Sequence, residues 1–203
     1  AAIFIPYLIT LMYLLISGLY MRSPRSLENW AFAFASQLYI ALPFALMNVL
    51  AFRMQSGVDG MSGLAYIPAL PLGLMIFLWT NDMGAYCFGS MLQRFVPFKL
   101  FPSVSPHKSW IGSIGGGLVT VIAAVIMSRY FTFMPPVQWV GMALVVVVFG
   151  TWGDLVESLL KRNLGVKDSG RFLPGHGGVL DRFDSSLLAI PAVVLYLYTL
   201  EIM

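Results

Sequence analysis

Charge is what this sequence has least of. Only 10% of its 203 residues are Asp, Glu, Lys or Arg, against about 25% in an ordinary soluble domain. That deficit excludes a water-exposed globule. With 59% hydrophobic residues and a mean hydropathy of +0.82, the chain reads as a polytopic, all-α integral membrane protein. Its apolar runs are continuous rather than alternating, which argues against a transmembrane barrel. The single cysteine, Cys87, excludes an intramolecular disulfide and a thiolate metal cluster and reads as a small packing residue on a helix. There are two histidines, His107 and His176, and no pairing of them with cysteines that would suit zinc. His107 lies in a polar loop and receives no function. No basic segment followed by a cleavage site marks a signal peptide. The chain enters an apolar run at Ala1, so further N-terminal sequence is expected to precede it.

About six transmembrane helices can be drawn, at roughly 20 apolar residues per bilayer crossing. They cover Ala1 to Met21, Leu27 to Phe52, Leu64 to Leu92, Ser109 to Phe131, Val137 to Asn163, and Asp181 to the C-terminus. Ser26 is the expected N-cap of the second, with Glu28 in its first turn, and Pro43 is expected to kink it. Gln55 to Gly63 forms a polar turn. Pro68, Pro71 and Gly73 interrupt the third span, whose later half carries Asn81 and Asp82. Gly112, Gly115, Gly116 and Gly117 open the fourth to close helix approach, either within one subunit or in a homodimer. The five tryptophans read as interface anchors or packing. No repeat, low-complexity segment or soluble domain is apparent.

The turns after the first, third and fifth spans hold ten of the twelve Lys and Arg residues; the other side has Arg53 and Arg129. The positive-inside rule places the basic side in the cytoplasm. Gly150 to Asp184 alone holds ten of the chain's 21 charged residues. Ionisable groups are costly near hydrocarbon, and such a concentration in a membrane protein points to a working site.

Within that stretch Asp154, Glu157, Ser158 and Lys161 fall on one helical face at spacings of three, four and seven. They read either as a helix end laced by a Glu157–Lys161 ion pair or as a site whose carboxylate needs a cation. Asp181 and Asp184 sit at the next helix start, where they are also favourable helix-dipole partners. Two acidic helix ends brought together would supply the hard oxygen ligands that Mg²⁺ prefers. Between them Lys167, Asp168, Arg171, His176, Gly177 and Gly178 lie in a glycine-rich basic loop. Exposed backbone N–H groups and positive charge there suit phosphate. Asp82, deep in a span, reads as functional by position.

The run from Ser158 through Lys161-Arg162, Lys167-Asp168, Leu173-Pro174, His176-Gly177-Gly178 and Asp181-Arg182-Phe183-Asp184 resembles the full signature of the phosphatidate cytidylyltransferase (CDP-diacylglycerol synthase) family. Trp79-x2-Asp82-x2-Ala85-Tyr86 and Ser105-Pro106-x-Lys108-Ser109-x2-Gly112 are similar to it too, although Ser109 stands where Thr is usual. The resemblance covers about Leu64 to the C-terminus and implies a single transmembrane catalytic domain, with further spans before residue 1. It implies transfer of CMP from CTP to phosphatidic acid, giving CDP-diacylglycerol and pyrophosphate, at a cell membrane site facing the cytoplasm. The cofactor implied is Mg²⁺, with a second monovalent cation such as K⁺. By the same resemblance Asp154 and Asp181 are principal metal ligands, supported by Asp184 and Asp82. Lys161, Arg162, Lys167, His176 and Arg182 contact phosphates, with Asp168, Gly177 and Gly178 beside them, and Ser105 and Lys108 close the nucleotide pocket. A cation-coupled transporter would instead place its acids on paired broken helices. A CTP-dependent lipid kinase would lack the Lys167 to Asp184 pattern.

Overall fold

The computed structural model describes residues 5–21, 25–56, 62–92, 98–170 and 178–202. The chain forms two compact units, Ala1–Leu42 and Pro43–Met203. In the first, α1 (Ile5–Met21) packs against α2 (Ser26–Ser36). Gly18 leaves the space that the Trp30 indole fills, so any side chain at position 18 would collide with that ring. Ser26 is the first helical residue rather than the cap; Arg25 holds the cap position without a side-chain hydrogen bond. Helix continues through a π-helical turn, Gln37–Ala41, into α3 (Leu42–Ala51). The π turn ends two residues before Pro43, whose missing N–H and ring are incompatible with regular α-helical bonding to the turn before it.

In the second unit the predominantly helical chain also carries two short antiparallel strand pairs. Strands β1 (Phe52–Ser56) and β2 (Ser62–Tyr66) pair antiparallel, as do β3 (Lys99–Phe101) and β4 (Ser105–Ser109). Leu64, expected in the third span, is therefore in a strand. Helix α4 begins later, at Ala69, and runs to Leu92. The prolines explain the shift. Pro68 lies just ahead of α4 and accepts the Leu72 N–H at 3.0 Å. Pro71 occupies the first turn, where its missing N–H costs nothing. They start the helix instead of interrupting it.

Helix α5 (Trp110–Tyr130) is capped by Ser109, whose hydroxyl accepts the Gly112 N–H at 3.2 Å. Its glycine face lies against α4: a Cβ on Gly116 would stand 2.8 Å from Asn81 Oδ1, and one on Gly112 would stand 2.8 Å from the Ala85 carbonyl. Close helix approach through those glycines thus occurs within one chain. Helix α6 (Pro136–Asn163) opens on proline and packs against α7 (Asp184–Thr199). There the Tyr196 hydroxyl donates to the Gln138 carbonyl at 3.1 Å. Trp139 is fully buried at the core, edge-on to Phe77, and its indole N–H donates to the Phe131 carbonyl at 3.1 Å.

The described chain is mostly helical. Among the described residues, three helical segments are long and apolar enough to cross a membrane: Ser26–Ala51, Trp110–Tyr130 and Pro136–Asn163.

Candidate functional site

Two lysines organise the polar end of the second unit. Lys108 lies on β4 immediately before the Ser109 cap. Its Nζ is 2.6 Å from Asp154 Oδ2 and donates to the Thr151 carbonyl at 3.3 Å. Asp154 also accepts the Ser158 hydroxyl at 3.2 Å. The charges of Asp154 and Asp184 act directly on Asp82, with Lys108 opposing them, and Asp184 senses Asp154, Lys108 and Lys161 in turn. Three carboxylates from α4, α6 and α7 therefore share one electrostatic neighbourhood with Lys108. A glycine makes the arrangement possible. A Cβ on Gly153 would lie 2.7 Å from the Asp184 carbonyl and 3.0 Å from that of Ser185, so only glycine lets α6 meet the first turn of α7 this closely.

Lys161 centres the second group. Its Nζ is 3.2 Å from Glu157 Oε2 and 2.8 Å from Asp181 Oδ1. Glu157 is buried, and its other oxygen, Oε1, has no hydrogen-bond partner. Asp181 is held from three directions: besides Lys161, the Gly178 N–H donates to Oδ2 at 2.7 Å, and the Ser169 N–H spans both oxygens at 3.2 and 3.0 Å. Burial favours the neutral acid, but the Lys161, Gly178 and Ser169 hydrogen bonds outweigh it and hold Asp181 well below the usual carboxylate range. Helix α6 ends in a Schellman motif that turns the chain back towards this point. Gly165 is at φ +69°, the Val166 N–H bonds the Lys161 carbonyl at 3.0 Å, and the Gly165 N–H bonds that of Arg162 at 3.1 Å. Gly178 has no room for a side chain, since a Cβ there would meet the Ser169 hydroxyl and stand 2.7 Å from the Gly170 nitrogen.

A model of the cytidylyltransferase family matches residues 2–200. The chain belongs to that family. Among similar proteins, a phosphatidate cytidylyltransferase of Staphylococcus aureus (strain COL) is 38% identical over 187 residues, 91% of this chain and 65% of the relative. That of Staphylococcus haemolyticus is 35% identical over 189 residues, 83% of this chain and 71% of the relative. That of Staphylococcus epidermidis is 42% identical over 131 residues, 64% of this chain and 47% of the relative. The chain thus spans just under two thirds of the Staphylococcus aureus protein, and the family match begins well before Leu64.

The structure of this cytidylyltransferase-family chain distributes the expected site residues unevenly. Asp82, Asp154, Asp184 and Lys108 come together, and Lys161, Asp181 and Gly178 form the second group. Ser105 starts β4 opposite Phe101. Arg162, Lys167 and Asp168 are exposed at the end of α6 and in the loop after it, and Arg182 is exposed in the 3₁₀ turn Leu180–Arg182. His176 and Gly177 lie outside the described residues. Glu157, for which the sequence offered an ion pair as one reading, makes that pair with Lys161. Its complete burial, and that of Asn81, whose Oδ1 also has no partner, had no counterpart in the sequence.

The acidic set suits a hard divalent ion chemically, since it offers carboxylate oxygens without thiolate or imidazole. Among the described residues no three Asp, Glu, His or Cys side chains form a ready cage. Mg²⁺ commonly binds through one or two carboxylates, with water and substrate phosphate completing its shell, so such a cage is not required. Asp181, expected beside Asp154 as a principal ligand, has its oxygens engaged by Lys161 and two backbone N–H groups. It would have to leave them to reach a metal.

Proposed function

We propose that this chain carries the catalytic site of a phosphatidate cytidylyltransferase. One observation carries the reading furthest: Asp154 meets the Lys108 ammonium at 2.6 Å where α6 nears α7, with Asp82 and Asp184 within electrostatic reach of the pair. Beside them Lys161 and the loop amides supply anion-binding groups. Acid and base side by side fit a site that brings two anionic substrates together. Asp154 and Asp181, supported by Asp184 and Asp82, would hold Mg²⁺, and a second monovalent cation would add to the same field. When bound, Mg²⁺ offsets the charge of the polyphosphate.

The residues then do the rest by position and electrostatics. An oxygen of the phosphatidate phosphate attacks the α-phosphorus of CTP, the bond to the β-phosphate oxygen breaks, and pyrophosphate leaves. The lipid phosphate is already an anionic nucleophile, so no Ser-His-Asp device is needed. Lys161, with the basic groups Arg162, Lys167 and Arg182, meets the negative charge that grows on the leaving group. The excess of Lys and Arg in the turns at this end supports a cytoplasmic orientation in the cell membrane, the side where CTP is found.

The test uses CTP labelled separately at the α- and γ-phosphates, with phosphatidic acid and Mg²⁺. The expected result is α label in lipid and none of the γ label. Transfer of the γ label would identify a lipid kinase. No transfer at all, from a folded full-length protein, would remove the enzyme reading.

A further inference from the structure

We propose that a cavity at the end of the helices opposite the acid–lysine site binds an anionic phospholipid, with an acyl chain inside and the phosphate on Arg53. The cavity lies within the second unit and encloses about 380 Å³, inside the range of about 300–1,000 Å³ that ligand pockets commonly occupy. Its wall is assembled from segments far apart in the chain. Val49 and Leu50 come from the end of α3, Leu70 from the first turn of α4, Phe133 from the turn between α5 and α6, and Ile202 from beyond α7. None of these side chains carries a polar atom. Such a wall gives water few partners and suits a hydrocarbon chain. One residue breaks the pattern: Arg53, on β1, lines the same cavity and is exposed. No acidic side chain among the described residues forms an ion pair with it, including Glu201 beside Ile202.

The surroundings of Arg53 are those of a membrane interface. Phe52 and Tyr66 pair across β1 and β2 with ring centroids 5.4 Å apart, and both are exposed. Exposed aromatic rings beside a basic residue, at the tips of apolar helices, fit the head-group level of a bilayer. The wall is also held in place. The Ile67 N–H, at the cavity, donates to the Ala51 carbonyl at 2.8 Å and ties α3 to the start of α4. Helix α7 ends in a Schellman motif: the Ile202 N–H bonds the Leu197 carbonyl at 3.1 Å, and the Glu201 N–H bonds that of Tyr198 at 3.0 Å. Glu201 takes φ 54° to make it, a conformation uncommon outside glycine, and the turn brings Ile202 back against the core. Inorganic phosphate would meet Arg53 and leave the cavity empty, whereas a neutral lipid would leave Arg53 without a counter-ion. An anion with a hydrocarbon chain uses both, and phospholipid is the form in which a bilayer supplies it at this depth. Placing the site in the outer leaflet rests on the cytoplasmic orientation proposed above; the binding itself does not.

Native mass spectrometry of the purified protein in a non-ionic detergent tests this, with separate titrations of phosphatidylglycerol, phosphatidylcholine and palmitate. The unaltered protein should bind phosphatidylglycerol most tightly. Arg53→Gln should weaken that binding about fivefold, as loss of one interfacial ion pair implies, and leave phosphatidylcholine binding unchanged. Val49→Trp, at a position still 45% exposed, fills the cavity and should remove the tightest phosphatidylglycerol binding event. Arg129→Gln alters the other basic residue at this end, which does not line the cavity, and should change nothing. If Val49→Trp does not melt as a folded protein, the exposed Arg53 substitution decides alone. Unchanged phosphatidylglycerol binding in Arg53→Gln would overturn the proposal, and an equal loss in Arg129→Gln would reduce it to diffuse surface charge. Palmitate bound more tightly than phosphatidylglycerol, and through Arg53, would make the occupant a free fatty acid and overturn the assignment to phospholipid. The assay contains no CTP, so binding through Arg53 in a protein that transfers no CMP would leave this site standing and remove only the transferase reading.

Discussion

Asp154→Asn should reduce CMP transfer by at least about 10³-fold while the protein remains folded; removal of one preorganised electrostatic group from an active site commonly costs 10²–10³, and this residue joins two functions. It faces the Lys108 ammonium at 2.6 Å and stands in the field of Asp184 and Asp82. The amide would lose the negative charge that a divalent ion needs, yet its oxygen could still accept from Lys108 while its NH₂ donates to the Ser158 hydroxyl oxygen. Lys108 would also keep its 3.3 Å bond to the Thr151 carbonyl. Folding should therefore survive where chemistry does not. Transfer of α-labelled phosphate, together with a thermal melt in detergent, separates the two. A rate near that of the unaltered protein would take Asp154 out of the metal site.

The second large effect should come from one methyl group. Gly153→Ala places a Cβ 2.7 Å from the Asp184 carbonyl and 3.0 Å from the Ser185 carbonyl. The obstacle is backbone, so a side-chain rotation cannot relieve it, and α6 must draw away from the first turn of α7. Overpacking of this kind costs about 1–3 kcal/mol, which should lower the melting temperature by several degrees. The loss of activity should exceed what stability explains. Asp154 is the next residue, and a displacement of about 1 Å in a positioned group can cost about 10²-fold. Gly150→Ala provides the contrast on the same helix face. Its nearest neighbour is the end of the flexible Leu78 side chain, at 3.1 Å, so a much smaller loss is expected. Equal activity in both variants would mean that the approach of α6 to α7 does not set the geometry of the site.

The helices themselves were largely legible, because long apolar runs and the need to satisfy every backbone group in a bilayer leave little alternative. Ser109 was visible as a helix start and caps α5. The glycines of the fourth span announced a close helix contact, but not its partner, which is α4 of the same chain. The hairpins were not legible. Phe52 to Ser56 and Ser62 to Tyr66 carry no firm alternation, and pairing across a turn is a non-local fact. Pro68 and Pro71 were misread because proline breaks a helix in its interior and is welcome in its first turn, and residue type does not say which applies.

By itself the sequence determined the class of molecule and the chemical inventory of its polar end: too little charge for water, and acids, bases and glycines concentrated between Gly150 and Asp184. Helical spacing also dictated that Asp154 and Ser158, and Glu157 and Lys161, would meet, since residues four apart share a face. Only the tertiary structure decided how the acids divide. Asp154 pairs with Lys108 within electrostatic reach of Asp82 and Asp184, while Asp181 joins Glu157 on Lys161. That partition depends on how closely α6 approaches α7 and where the loop after α6 turns back, and both are set by packing between segments far apart in the chain.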